Sequence, residues 1–96
     1  MIDYGKGEPR ARTLSAYIEC FLHDRGVTSI TMTDATEAIW GSSGRGNPNA
    51  VRLIEACAAL GYLHIEQRGA RNRRVSRTAK PIEDAAYEYG GLTRPA

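Results

Sequence analysis

No run in this 96-residue chain approaches the roughly 20 apolar residues that a membrane-spanning helix needs. The opening segment, MIDYGKGEPRAR, has no apolar stretch of the kind a secretory signal carries, so the expected location is the cytoplasm. Cysteine is scarce: Cys20 and Cys57 each fall within an apolar helical pattern, which suits buried thiols in a reducing compartment better than a disulfide framework. Cys20 and His23 are spaced C-x2-H, and Cys57 with His64 would complete a zinc set. That set is not expected to bind, because both cysteines sit on apolar faces and the first pair lies inside a helix, not in a knuckle loop. No cofactor or metal is therefore expected. Catalytic motifs are missing as well. No Ser-His-Asp or Cys-His pairing has motif context, and GSSGRGN lacks the Gly-Lys-Ser/Thr ending of a phosphate-binding loop, so an enzyme is not expected.

What is present is an ordinary globular composition, 42% hydrophobic and 25% charged, in a chain of one-domain length. The net charge is only +2, but it is segregated. Between Gly44 and Lys80 stand eight cations against Glu55 and Glu66, a local charge of +6; the remainder, with five cations and nine acids, carries −4. The densest stretch, RGARNRRVSRTAK, holds six cations and no acid. Segregation of this kind describes a partner more than a fold, and the partner it describes is negative.

Along the chain, Met1–Arg12 reads as a flexible leader broken by Gly5, Gly7 and Pro9. From Thr13, a plausible N-cap, Leu14, Ile18, Phe21 and Leu22 mark one face of a helix that stops at Gly26. Val27–Met32 is a β-branched run that predicts a short edge strand. A second helix follows over TDATEAIW, capped by Thr33 or Asp34, with Glu37 placed as in a capping box and Trp40 closing it. After the breaker-rich turn Gly41–Asn49, Asn47 caps a third helix and Pro48 takes its first position. Its core face is Val51, Leu53, Ile54, Cys57, Ala58 and Leu60; Asn49, Arg52, Glu55 and Ala59 look outward. Beyond Gly61 the period falls to two, so Leu63–Glu66 and RVSRT form a β-hairpin whose tip is RGARNR. Pro81 opens a tail with about two helical turns to Tyr89.

Helix, strand, helix, turn, helix and basic hairpin in that order resemble the winged helix-turn-helix family over Thr13–Thr78. The segment AVRLIEACAALGYLHIEQRGARNRRVSRT carries most of the resemblance. Leu60-Gly61-Tyr62-Leu63 matches the family's step from recognition helix into wing, and Gly69, Arg71, Arg73 and Arg74 match its Gly- and Arg-bearing wing tip. The joint between the second and third helices departs from the family's three- or four-residue turn, being longer and holding three glycines. The implied fold is α+β: three helices, a short strand and a C-terminal hairpin wing over residues 13–80, with residues 81–96 as a helical tail.

The resemblance implies sequence-specific binding to double-stranded DNA, as in a small transcriptional repressor or regulator of the kind encoded by phages, plasmids or viruses. Asn49 and Arg52 would read bases from the first turns of the third helix. Arg45, Asn47, Ser42 and Ser43 would meet phosphate near that helix's N-terminus. Arg68, Arg71, Asn72, Arg73 and Arg74 of the wing, with Arg77 and Lys80 down the return strand, would grip phosphates or the minor groove. A homodimer is expected, since one short helix offers few base contacts, with Glu83, Tyr87 and the C-terminal segment, or the first helix, as candidate contacts. No small-molecule effector and no membrane partner are predicted. The rival expectations are a protein-interaction module (an inhibitor or adaptor) that turns its basic wing on an acidic partner, and a replication or partition protein of the same fold. Single-stranded RNA is disfavoured because the five tyrosines lie outside the basic track.

Overall fold

Alternation along the last strand divides the basic run between two faces of a small sheet, and that division organises the molecule. In a computed structural model describing residues 7–69 and 72–95, the elements are α1 (Glu8–Arg25), β1 (Ser29–Thr31), α2 (Met32–Trp40), a 3-10 turn (Ser42–Gly44), α3 (Pro48–Ala59), β2 (Leu63–Arg68), β3 (Asn72–Arg77) and α4 (Asp84–Tyr89). The three strands are antiparallel in the order β1-β3-β2. Val75 of β3 faces Ile30 on one side and Ile65 on the other, so one apolar rung crosses the sheet at its centre. Successive side chains of a strand point to opposite faces. Arg73 and Arg77 therefore share the core side with Val75, while Asn72, Arg74 and Ser76 lie on the other side.

α1 begins at Glu8, so residues 8–12 belong to the helix and not to a leader; residues 1–6 lie outside the described structure. Pro9 does not break the chain here, because the first turn of a helix has no partner for the N–H that proline lacks. Thr13 is correspondingly not a cap. It is buried inside the helix and its hydroxyl donates to the Pro9 carbonyl at 3.4 Å. α1 packs against α2, α3, α4 and β3 at once. Ile18 and Leu22 of the expected stripe are buried, but so are Ala11, Thr13, Ser15 and Ala16 from other sides of the helix. A single apolar stripe presumes one covered face; α1 is covered on several. Around it gather Ile30, Met32, Ala35, Ile54, Tyr62, Leu63, Val75, Ile82 and Tyr87.

The cap of α2 is Thr31, two or three residues earlier than expected, with its Oγ1 accepting from the Asp34 N–H at 3.1 Å; the strand before it shortens to Ser29–Thr31. A threonine in extended conformation fits this place because its side chain can replace the missing backbone acceptor. Asn47 caps α3 through Oδ1 to the Asn49 N–H at 2.8 Å, with Pro48 at the first position. At the other end of α3, Gly61 sits at φ +89° and lets the Tyr62 N–H reach back to the Cys57 carbonyl at 3.1 Å. α1 and α4 end with equivalent backward bonds, Val27 to Leu22 and Leu92 to Tyr87.

The long joint between α2 and α3 is held by Thr36, which is fully buried. Its Oγ1 donates to the Thr33 carbonyl at 2.7 Å and accepts from the Gly46 N–H at 2.9 Å. Thr36→Val keeps the volume and removes both bonds, leaving the Gly46 donor unpaired. We expect it to destabilise the domain by about 1–2 kcal/mol in urea denaturation; an unchanged midpoint would show that water replaces the hydroxyl.

The radius of gyration, 12.3 Å, is close to the ~12.5 Å of a compact chain this long. No helix of the described residues is long and apolar enough to cross a membrane. Cys57 is buried and Cys20 half-buried; burial pushes both thiols up, and among the described residues no group of His, Cys, Asp or Glu could hold a metal ion.

Candidate nucleic-acid interface

A cleft of about 670 Å³ opens where the hairpin leans over the starts of α2 and α3. Its walls come from three places: Thr31, Met32 and Thr33 at the N-terminal end of α2, Arg45 and Gly46 in the joint with Val51 of α3, and Arg68, Asn72, Arg73 and Arg74 of the hairpin. The lining holds four arginines and no carboxylate. Arg45 and the hairpin arginines, more than 20 residues apart in sequence, thus share one concave surface, which is the arrangement a polyanion requires.

The arginines are not bare. Arg45 Nη1 lies 2.8 Å from Asp34 Oδ1 and 2.7 Å from Glu37 Oε2, tying the joint to α2. Hydrogen bonding to Arg45 holds the Asp34 carboxyl below its usual range. Arg68 pairs with Glu66 at 3.1 Å, which lowers the Glu66 carboxyl in the same way. Arg73 pairs with Glu55 of α3 at 3.1 Å. Arg74 has no carboxylate partner among the described residues; it donates to Ser29 Oγ at 2.9 Å and to the Ser29 carbonyl at 3.0 Å. Each pair has at least one exposed member, and ion pairs open to solvent contribute only about 0–1 kcal/mol each, so an anion can compete for these arginines.

The exposed stripe of α3 touches the cleft lining through Glu55. Asn49, Arg52 and Glu55 recur every three residues on the solvent side, and Glu55 reaches Arg73. Arg52 forms no ion pair among the described residues. Ser42 and Ser43 are exposed in the 3-10 turn but do not line the cleft, and Asn47 spends its side chain on the cap. Arg71 falls outside the described residues. Arg73 and Arg74 lie within β3 and not at the hairpin tip, because pairing already begins at Arg68 with Asn72.

Two expected contacts are structural instead. Arg77 points into the domain with 13% of its side chain exposed, donates to Glu19 Oε1 at 3.0 Å and to the Lys80 carbonyl at 2.7 Å, and bonds the Tyr62 carbonyl. Lys80 donates to the Leu60 carbonyl at 2.7 Å and stands 4.4 Å over the Tyr62 ring, closing the C-terminal end of α3 where a cation is favoured. Strand alternation explains the first and helix capping the second. Of the expected dimer contacts Tyr87 is turned inward, while Glu83 and much of the C-terminal helix stay exposed. Tyr87 is 2% exposed with its hydroxyl on Glu19, Glu83 pairs with Arg12 at 3.4 Å, and α4 covers a face of α1, where the Tyr17 hydroxyl donates to the Gly90 carbonyl at 2.8 Å.

Sequence reasoning missed Thr31, Met32 and Thr33 as walls of the cleft. The signal was the threonine-rich run TSITMTDAT, which reads as strand and cap without showing that the hairpin folds over it. Comparison of the chain with family models, with curated proteins and with solved structures finds no match.

Proposed function

We propose that this domain is a winged helix-turn-helix protein that binds double-stranded DNA, acting as a small transcriptional regulator. On this reading α3 is the recognition helix and β2–β3 the wing. The observation that carries it is the cleft itself: four arginines from the joint and the hairpin line one surface with Val51 of α3, and Glu55 of the exposed α3 stripe reaches Arg73 of that lining. Asn49 would pair with adenine and Arg52 with guanine in the major groove, while Arg68, Arg73 and Arg74 neutralise phosphates. Arg77, turned into the domain, leaves the contact set; Lys80 is exposed and engaged at the end of α3. A homodimer on two half-sites would enlarge the readout of one short helix; its surface would lie away from the covered face of α1 and from Tyr87.

A second reading has its own support. Three of the four cleft arginines already hold carboxylates, so the cleft also suits an acidic segment of a partner protein. Fluorescence anisotropy on a random duplex pool separates the two. The DNA reading expects binding at about micromolar Kd in low salt, with log K falling against log[salt] at a slope of about −4. Arg68→Gln/Arg73→Gln/Arg74→Gln should weaken binding more than tenfold and flatten the slope to about −1 to −2. No binding at low salt would reject the DNA reading in favour of the acidic partner.

A further inference from the structure

Among the acids that hold the cleft arginines, Glu55 differs in position. Asp34 and Glu37 sit on α2 and Glu66 on β2, whereas Glu55 stands on the exposed stripe of α3 that carries Asn49 and Arg52. A duplex laid against that stripe meets Glu55 as well. A carboxylate there repels phosphate, and it occupies Arg73 at 3.1 Å, with 31% and 49% of the two side chains exposed.

We infer that Glu55 is a specificity-determining residue of the DNA site: it weakens binding to duplexes in general and favours those that place a cytosine N4 amino group against it. The inference rests on the DNA reading above. Phosphate contacts carry no sequence information, so a group that discounts them raises the relative weight of base contacts. An ionised carboxylate can only accept hydrogen bonds. In the major groove the amino donors are cytosine N4 and adenine N6, but adenine sets its N7 acceptor beside N6 and so repels a carboxylate, whereas cytosine offers the donor alone. When Glu55 turns to the base it releases Arg73 to a phosphate, and the exposed pair opposes that exchange only weakly.

The test compares the full chain with Glu55→Gln, Glu55→Ala and Arg73→Gln by anisotropy on a random duplex pool, followed by sequencing of the bound fraction. Both Glu55 variants should bind the pool about five- to tenfold tighter, with a salt slope steeper by about 1. Duplexes recovered with wild type should show a cytosine that Glu55→Ala loses and that Glu55→Gln exchanges for adenine, the partner of an amide. Arg73→Gln should weaken binding more in the Glu55→Gln background than alone. Wild-type binding with unchanged affinity, slope and recovered sequences in the variants overturns the inference and leaves the DNA reading standing. Absence of wild-type binding at low salt overturns both. Matching thermal melts of the Glu55 variants and wild type would confirm that the fold is intact.

Discussion

Arg77→Ala is expected to lower the melting temperature by roughly 15 °C, the largest effect among the basic residues, since removing one partner of an ion pair this little exposed costs about 3 kcal/mol. The guanidinium joins three elements: it holds Glu19 of α1, the Tyr62 carbonyl between α3 and β2, and the Lys80 carbonyl after β3. Without it the half-buried Glu19 carboxylate loses its cation, and among the described residues the Tyr87 hydroxyl is the donor left to it. Burial, then Glu19, pushes the Tyr87 phenol far above the ordinary range, so it stays a neutral hydrogen-bond donor and supplies no positive charge in place of Arg77. Arg52→Ala is the control, being exposed and unpaired among the described residues, and should change stability by less than about 0.5 kcal/mol. Circular dichroism melts decide the matter. If Arg77→Ala melts within a few degrees of wild type, Arg77 is not a structural cation and returns to the set of candidate phosphate contacts.

Gly44→Ala should cost about 3 kcal/mol and about the same loss in melting temperature. Gly44 is buried in the 3-10 turn between α2 and α3. A Cβ there would stand 2.4 Å from the Trp40 Cβ and 2.9 Å from the Thr36 carbonyl oxygen. Neither can swing aside, because one is the root of a side chain and the other is helix backbone. The turn must move, and with it the Gly46 bond to Thr36 and the Arg45 clamp on α2. On the DNA reading this also changes the angle at which α3 meets the duplex, so affinity should fall with stability. A variant that unfolds at the wild-type urea concentration would show that the joint adapts and that its length, not its packing, sets the helix angle.

Much of the secondary structure was legible because its signals are local. Asn47-Pro48 starts α3 and Gly61 ends it through backbone geometry that needs no distant partner. The outward stripe of Asn49, Arg52, Glu55 and Ala59 followed from the helical period and is exposed. The start of α1 was not legible, since Pro9 and Gly7 read as breakers until the first turn of a helix is known to lie there.

The candidate site was legible only as charge. A cation count cannot say which face of a strand each cation takes, nor which acid from another element will meet it. The acids that reach Arg45, Arg77 and Lys80 come from outside the basic third: Asp34 and Glu37, Glu19, and Glu8 at 3.7 Å. By itself the sequence determined the helices and the hairpin, the exposed face of α3 and an excess of arginine near the hairpin, all properties of periodicity and composition. Only the tertiary structure decided that Arg45, Arg68, Arg73 and Arg74 share a cleft while Arg77 turns into the domain and Lys80 closes the end of α3. Arg73 and Arg77 share a face of β3, so alternation does not separate them; their places along the strand do, Arg73 beside Glu55 of α3 and Arg77 opposite Leu63 beside Glu19 of the central α1.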